Sequence, residues 1–112
     1  NAMLITEGMR NAILEFGGKI TGEEMRWGLE HINLTEERLA ELGATGFGKP
    51  FKITCADHEG NGPILFQEWD GKKWVIVSDW IEPMRDVVRP MLEAAAIKEA
   101  EKWDYKIRED CS

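Results

Sequence analysis

A chain of 112 residues, 43% apolar and 31% charged, has room for one globular domain with a modest core. Its formal net charge of −7 argues against nucleic acid and against an anionic membrane surface, because both select clustered Lys and Arg. No apolar run approaches the roughly 18–20 residues of a membrane span, so no membrane insertion is expected, and no basic start followed by an apolar stretch marks a signal peptide. Asn1 and Ala2, ahead of Met3, read as an expression-tag remnant, leaving residues 3–112 as a single domain.

Residues 4–16, LITEGMRNAILEF, place Ile5, Met9, Ala12, Ile13 and Phe16 on one helical face. Gly17-Gly18 ends that helix. In the next segment, ITGEEMRWGLEHI, Thr21 and Glu24 have the spacing of a capping box, and Ile20 with Met25 that of a hydrophobic staple. Met25, Gly28, Leu29 and Ile32 form its buried stripe. A short third helix repeats the device, with Leu34 and Leu39 stapled around an N-cap at Thr35 and Gly43 as its stop.

After a loop at 44–50, FKITC alternates Phe51, Ile53 and Cys55 on one face and reads as a strand. A polar, Gly-rich connection follows and ends at Pro63. ILFQEW and WVIVSDWI are two strands joined by DGKK, a hairpin signal. A four-residue loop sets Trp69 across from Trp74, whereas a two-residue Asp70-Gly71 turn pairs Trp69 with Lys72. The second strand is apolar on both faces, Trp74 and Ile76 on one, Val75 and Val77 on the other, as a central or doubly covered strand is. From Pro83 onward, Met84, Val87, Val88, Met91, Leu92 and Ala95 keep helical spacing, and Ala96, Ala100 and Trp103 continue it. Pro90 must kink or restart this helix. The fold class is α+β: three helices, a strand, a β-hairpin and a long C-terminal helix, with more apolar surface than so short a chain covers.

Asp57-His58-Glu59 invites a metal-site reading, but consecutive side chains on extended backbone diverge, and a solvated loop with local turn hydrogen bonds is the stronger reading. Cys55 lies three residues before His58, with nothing to orient the two as a nucleophile and base. GFGKP lacks the spacing and the Ser/Thr of a phosphate loop. Glu23-Glu24 and Glu36-Glu37 lie in first turns of helices, where carboxylates complement the dipole. The reading is non-enzymatic, with no cofactor and no metal. The two cysteines, Cys55 and Cys111, fit no zinc spacing and are either separate thiols or one disulfide. Trp69, Trp74 and Trp80 could line an aromatic ligand site, but core packing or a chain–chain interface is the stronger reading, and Trp103 joins them as an interface candidate.

Several stretches together carry a family resemblance: ITGEEMRWGLEHINLT, the ADHEG-containing loop, QEWDGKKW, and the run from Asp79-Trp80 through Pro83 and Arg85 to Val88-Arg89-Pro90. In this order they resemble the C-terminal part of periplasmic solute-binding proteins of branched-chain amino-acid (Leu/Ile/Val-type) ABC transporters, from about Leu4 to Cys111. The resemblance implies a fragment of a two-lobed α/β type I periplasmic binding protein. It further implies a periplasmic location, or a cytoplasmic one for a truncated product, and a small amino-acid-like ligand. The family's principal ligand contacts fall outside this segment, so no ligand-binding residue carries over. The resemblance also implies that Cys55 and Cys111 pair in exported relatives. The expected function is that of a substrate-binding-protein fragment. The alternative is a protein–protein interaction module that forms a homodimer or complements a longer binding protein. A small enzyme using Cys55, His58 and Asp57 ranks last.

Overall fold

A computed structural model describes every residue except Asn61, Glu109, Asp110 and Ser112. The chain divides into two compact units, Asn1–Gly62 and Pro63–Ser112.

The first unit contains α1 (Ala2–Phe16), α2 (Gly22–Glu30), β1 (Asn33–Leu34), α3 (Glu36–Glu41) and β2 (Phe51–Lys52). Both predicted caps form. The Thr21 hydroxyl accepts from the Glu24 amide, and the Glu24 carboxylate accepts from the Thr21 amide at 2.6 Å. Thr35 caps α3 in the same way through the Arg38 amide. Gly43 ends that segment at φ 68°, a left-handed conformation suited to glycine.

Of the face its apolar spacing predicts, helix α1 buries only Ala12. Glu7, Gly8 and Ala12 are buried, while Ile5, Met9, Ile13 and Phe16 stay 40–52% exposed. The reason is the close crossing with α2. A Cβ at Gly28 would sit 2.0 Å from the Gly8 carbonyl oxygen and 3.0 Å from Ala12, and one at Gly8 would sit 2.6 Å from Leu29. Small residues let the two backbones approach, and that contact outcompetes burial of the larger side chains.

The core of this unit is Ile32, Leu34 and Leu39, with Met3, Leu4, Leu29, Ala44, Phe51 and Ile53 packed around it. Strand β1, hidden in the sequence between two helix signals, pairs antiparallel with β2 through Asn33↔Lys52 and Leu34↔Phe51. The Ile53 amide extends the pairing by donating to the Ile32 carbonyl at 2.9 Å.

The second unit contains β3 (Gln67–Trp69), β4 (Trp74–Ile76) and α4 (Arg85–Lys102). The hairpin register is Gln67↔Ile76, Glu68↔Val75 and Trp69↔Trp74, so the four-residue loop is the one adopted. Asp70 organises it: its carboxylate accepts from the Lys72 and Lys73 amides at 2.8 and 2.9 Å, and its own amide donates to the Lys73 carbonyl. Farther from the loop, Ile64 and Ile81 exchange both backbone bonds, and the Ser78 hydroxyl accepts the Phe66 amide.

Helix α4 runs through Pro90 as one element, so the expected restart does not occur. It ends in a Schellman motif: Tyr105 donates to the Ala100 carbonyl, Asp104 donates to the Glu101 carbonyl, and Asp104 holds φ 50°.

Candidate interaction surface

Three features could carry chemistry or binding: the 54–60 loop with its neighbours, a buried ion pair on α1, and the apolar surface of the second unit.

In the loop, Thr54 and Asp57 exchange backbone bonds at 3.0 Å, and the Asp57 side chain accepts the Glu59 amide at 3.2 Å. This is local turn chemistry. His58 turns to α2, with Nε2 3.1 Å from Glu30 Oε1; the Glu30 carboxylate is 6% exposed and the His58 ring 65%. The three consecutive residues therefore diverge: Asp57 serves the turn and His58 clasps α2. No group of metal-ligating side chains converges among the described residues. Cys55 and Cys111 are each disulfide-bonded, so Cys55 is not a free thiolate in this structure.

The buried polar pair escaped the sequence reading. Glu7 on α1 accepts from Arg38 on α3 through both carboxylate oxygens, at 2.6 and 2.9 Å, and Arg38 also reaches Glu41 at 2.7 Å. The Arg38 hydrogen bonds hold the Glu7 carboxyl below the usual carboxylate range despite its burial, and raise Arg38 in turn. Two-pronged geometry and an intra-unit location make this a clamp for α1 on α3 rather than a binding site. Asn11 was missed as well: its side-chain amide donates to the Gly28 and His31 carbonyls at 3.3 and 3.0 Å, closing the end of α2. Its only sequence signal was a polar residue one place before Ala12 on a helix assumed to pack by its apolar face.

The second unit supplies the largest unexplained surface. None of its described residues is buried. On the hairpin, Trp69 and Trp74 meet edge to face, ring centres 5.7 Å apart, yet are 51% and 65% exposed. Ile76 shares their face; Phe66, Val75 and Val77 lie on the other, and all four are exposed. On α4, Met84, Val87, Val88, Met91 and Leu92 form one stripe, each 44–70% exposed. At its end two open grooves of about 450 and 470 Å³ share Ala100, Tyr105 and Ile107, and Trp103 lines the larger. Of the tryptophans singled out from sequence, Trp69 and Trp74 come together, Trp80 is half-buried, and Trp103 is exposed at the end of α4.

No family model matches the chain, and no curated protein matches it. A solved structure does. It is the crystal structure of an ABC transporter permease from the Pseudomonas fluorescens group, 38% identical, with a TM-score of 0.88 over 98% of this chain. The chain spans 27% of that protein's length.

This neighbour corrects the family expectation. The resemblance to a substrate-binding protein for branched-chain amino acids pointed to ABC transport, but the matching structure is described as a permease, a different component. The amino-acid-like ligand and the ligand-binding homodimer lose their support with it. The motifs behind the resemblance are caps, a turn and a hairpin. Those are folding devices, and they specify a segment's shape without specifying which component carries it. Among the described residues no helix is long and apolar enough to cross a membrane.

Proposed function

We propose that this chain is a non-enzymatic structural segment of an ABC transport component, and that its second unit docks onto polypeptide equivalent to the rest of the matched permease-described chain. One observation carries the reading: the match takes in 98% of this chain and 27% of the other, while the second unit buries none of its described residues. A segment with this much uncovered apolar surface fits a larger body. Each Val, Ile, Leu, Met or Phe side chain fully withdrawn from water contributes about 1.5–3 kcal/mol. The exposed hairpin and helix stripe therefore hold enough area to drive docking even after the cost of ordering. Contiguous apolar surface beyond a few hundred Å² marks an interaction site in a soluble protein.

The test is a chimera in which residues 1–112 replace the equivalent segment of the full-length Pseudomonas relative. A folded, soluble chimera with a cooperative thermal transition near that of the intact relative is the expected result. A chimera that aggregates, beside an intact relative that does not, refutes the reading.

A further inference from the structure

The hairpin's two strands are not equivalent. With their paired extensions, β3 reads Phe66-Gln67-Glu68-Trp69, with a polar residue on each face, whereas β4 reads Trp74-Val75-Ile76-Val77, with none. Polar residues suit an edge strand; a strand apolar on both faces is an interior strand of a covered sheet. Yet β4 has β3 on one side and no strand on the other among the described residues.

The backbone completes the picture. Asp70 donates to the Lys73 carbonyl and Val77 donates to the Phe66 carbonyl. Antiparallel pairs alternate between bonded and non-bonded, so Glu68↔Val75 is the bonded pair between them, while Trp69↔Trp74 and Gln67↔Ile76 are non-bonded. The amides and carbonyls of Trp74 and Ile76 consequently face away from β3, along an open edge. Two strands alone make a marginal sheet; a third strand or a covering helix is required for stability.

We propose that the docked polypeptide adds a β-strand along this open edge of β4, pairing with the backbone of Trp74 and Ile76, and that β3 remains the outer edge. This rests on the docking reading above and specifies its mode, strand addition rather than side-chain packing alone. The occupant is an extended segment from the part of the matched permease-described chain that lies outside the aligned region, since the aligned segment occupies 27% of that chain.

Amide hydrogen exchange on the free chain and on the chimera tests it. In the free chain the Trp74 and Ile76 amides exchange quickly. In the chimera they slow by about 100-fold or more, while those of Gln67 and Trp69 on the outer edge of β3 do not. A folded chimera in which Trp74 and Ile76 exchange as in the free chain overturns the strand addition and leaves the docking reading intact. A chimera that does not fold defeats both. A second measurement separates a paired strand from mere burial. Ile76→Pro removes an amide that β3 does not use, and Ile76→Ala trims the side chain while keeping that amide, so the free hairpin persists in both but the Pro chimera melts at least several degrees below the Ala chimera. Gln67→Pro, on the far edge, leaves the chimera unchanged. Equal melting of the Ile76→Pro and Ile76→Ala chimeras also overturns the proposal.

Discussion

Replacing Gly28 by alanine is the sharpest test of how the first unit packs. In a solvent-facing helix the change stabilises by roughly 0.8–1.0 kcal/mol, because alanine loses less backbone entropy. Here the new Cβ would lie 2.0 Å from the Gly8 carbonyl oxygen and 3.0 Å from both the Ala12 Cβ and amide nitrogen. The obstacle is mostly backbone, which cannot swing aside, so α1 and α2 must separate by about 1 Å in a close-packed contact. Overpacking of this kind typically costs about 1–3 kcal/mol, and separation also stretches the Asn11 bonds to the Gly28 and His31 carbonyls. The steric cost outweighs the propensity gain, and a net loss of about 1–2 kcal/mol is expected. Gly8→Ala meets the flexible end of Leu29 at 2.6 Å and is expected to lose less. Gly22→Ala meets nothing within 4 Å and is expected to be neutral or slightly stabilising. Urea unfolding followed by circular dichroism at 222 nm ranks the three. A Gly28→Ala variant as stable as Gly22→Ala refutes the close-approach reasoning.

Asn11→Ala leaves the last carbonyls of α2 without their side-chain donor and is expected to lower stability by about 1 kcal/mol, read in the same urea assay. Glu7→Gln weakens the charge-assisted clasp to α3 and is expected to destabilise by about 1.5–3 kcal/mol. The folded-state pKa of Glu7 lies below its ordinary 4.5, so the stability it confers is complete above pH 4.5 and is lost as pH falls through the lowered value. Glu7→Gln should therefore flatten the acid limb of a plot of melting temperature against pH, and an unchanged limb would count against the pair. Asp104→Gly relieves a left-handed residue at the C′ position of α4 and should stabilise that helix end by roughly 1 kcal/mol, seen as slower exchange of the Tyr105 amide; faster exchange contradicts the Schellman assignment.

Local signals were the legible ones. Thr21 with Glu24, and Thr35 with Leu34 and Leu39, are each decided within a few residues, and the structure follows them; the hairpin was signalled just as locally, but its loop length stayed open between four residues and two until the Trp69↔Trp74 register fixed it. What depended on distant partners was not legible. The spacing of Ile5, Met9, Ala12, Ile13 and Phe16 is a sound amphipathic pattern, but only Ala12 of that set is buried, because Gly8 and Ala12 against Gly28 won the contact. No property of α1 alone reveals that another helix offers a glycine at that height. Strand β1 escaped because two residues between helix signals carry no period, and its partner β2 lies far along the chain. Glu7 and Arg38 are 31 positions apart; one carboxylate on a helix face otherwise reads as solvated. Of the two outcomes expected at Pro90, a kink or a restart, the restart does not occur, since the helix continues on both sides of it.

The two units show different relations between sequence pattern and burial. In Asn1–Gly62, part of the patterned set becomes core: Ile32, Leu34 and Leu39 are at most 1% exposed, while Ile20, Met25, Leu29, Phe51 and Ile53 are half-buried. In the second unit the pattern is equally strong, a doubly apolar β4 and a regular stripe on α4, and none of those residues is buried. Apolar periodicity is a record of what a segment packs against. The stripe from Met84 through Leu92 and the two apolar faces of β4 are therefore the surfaces that the proposed docking would cover. The outward face of α1, from Ile5 to Phe16, has the same character on a unit that already has its core. Exposed apolar strands and stripes invite aggregation unless something covers them. The exposure of these side chains and the 27% share of the matched chain are the two observations on which the proposed docking rests.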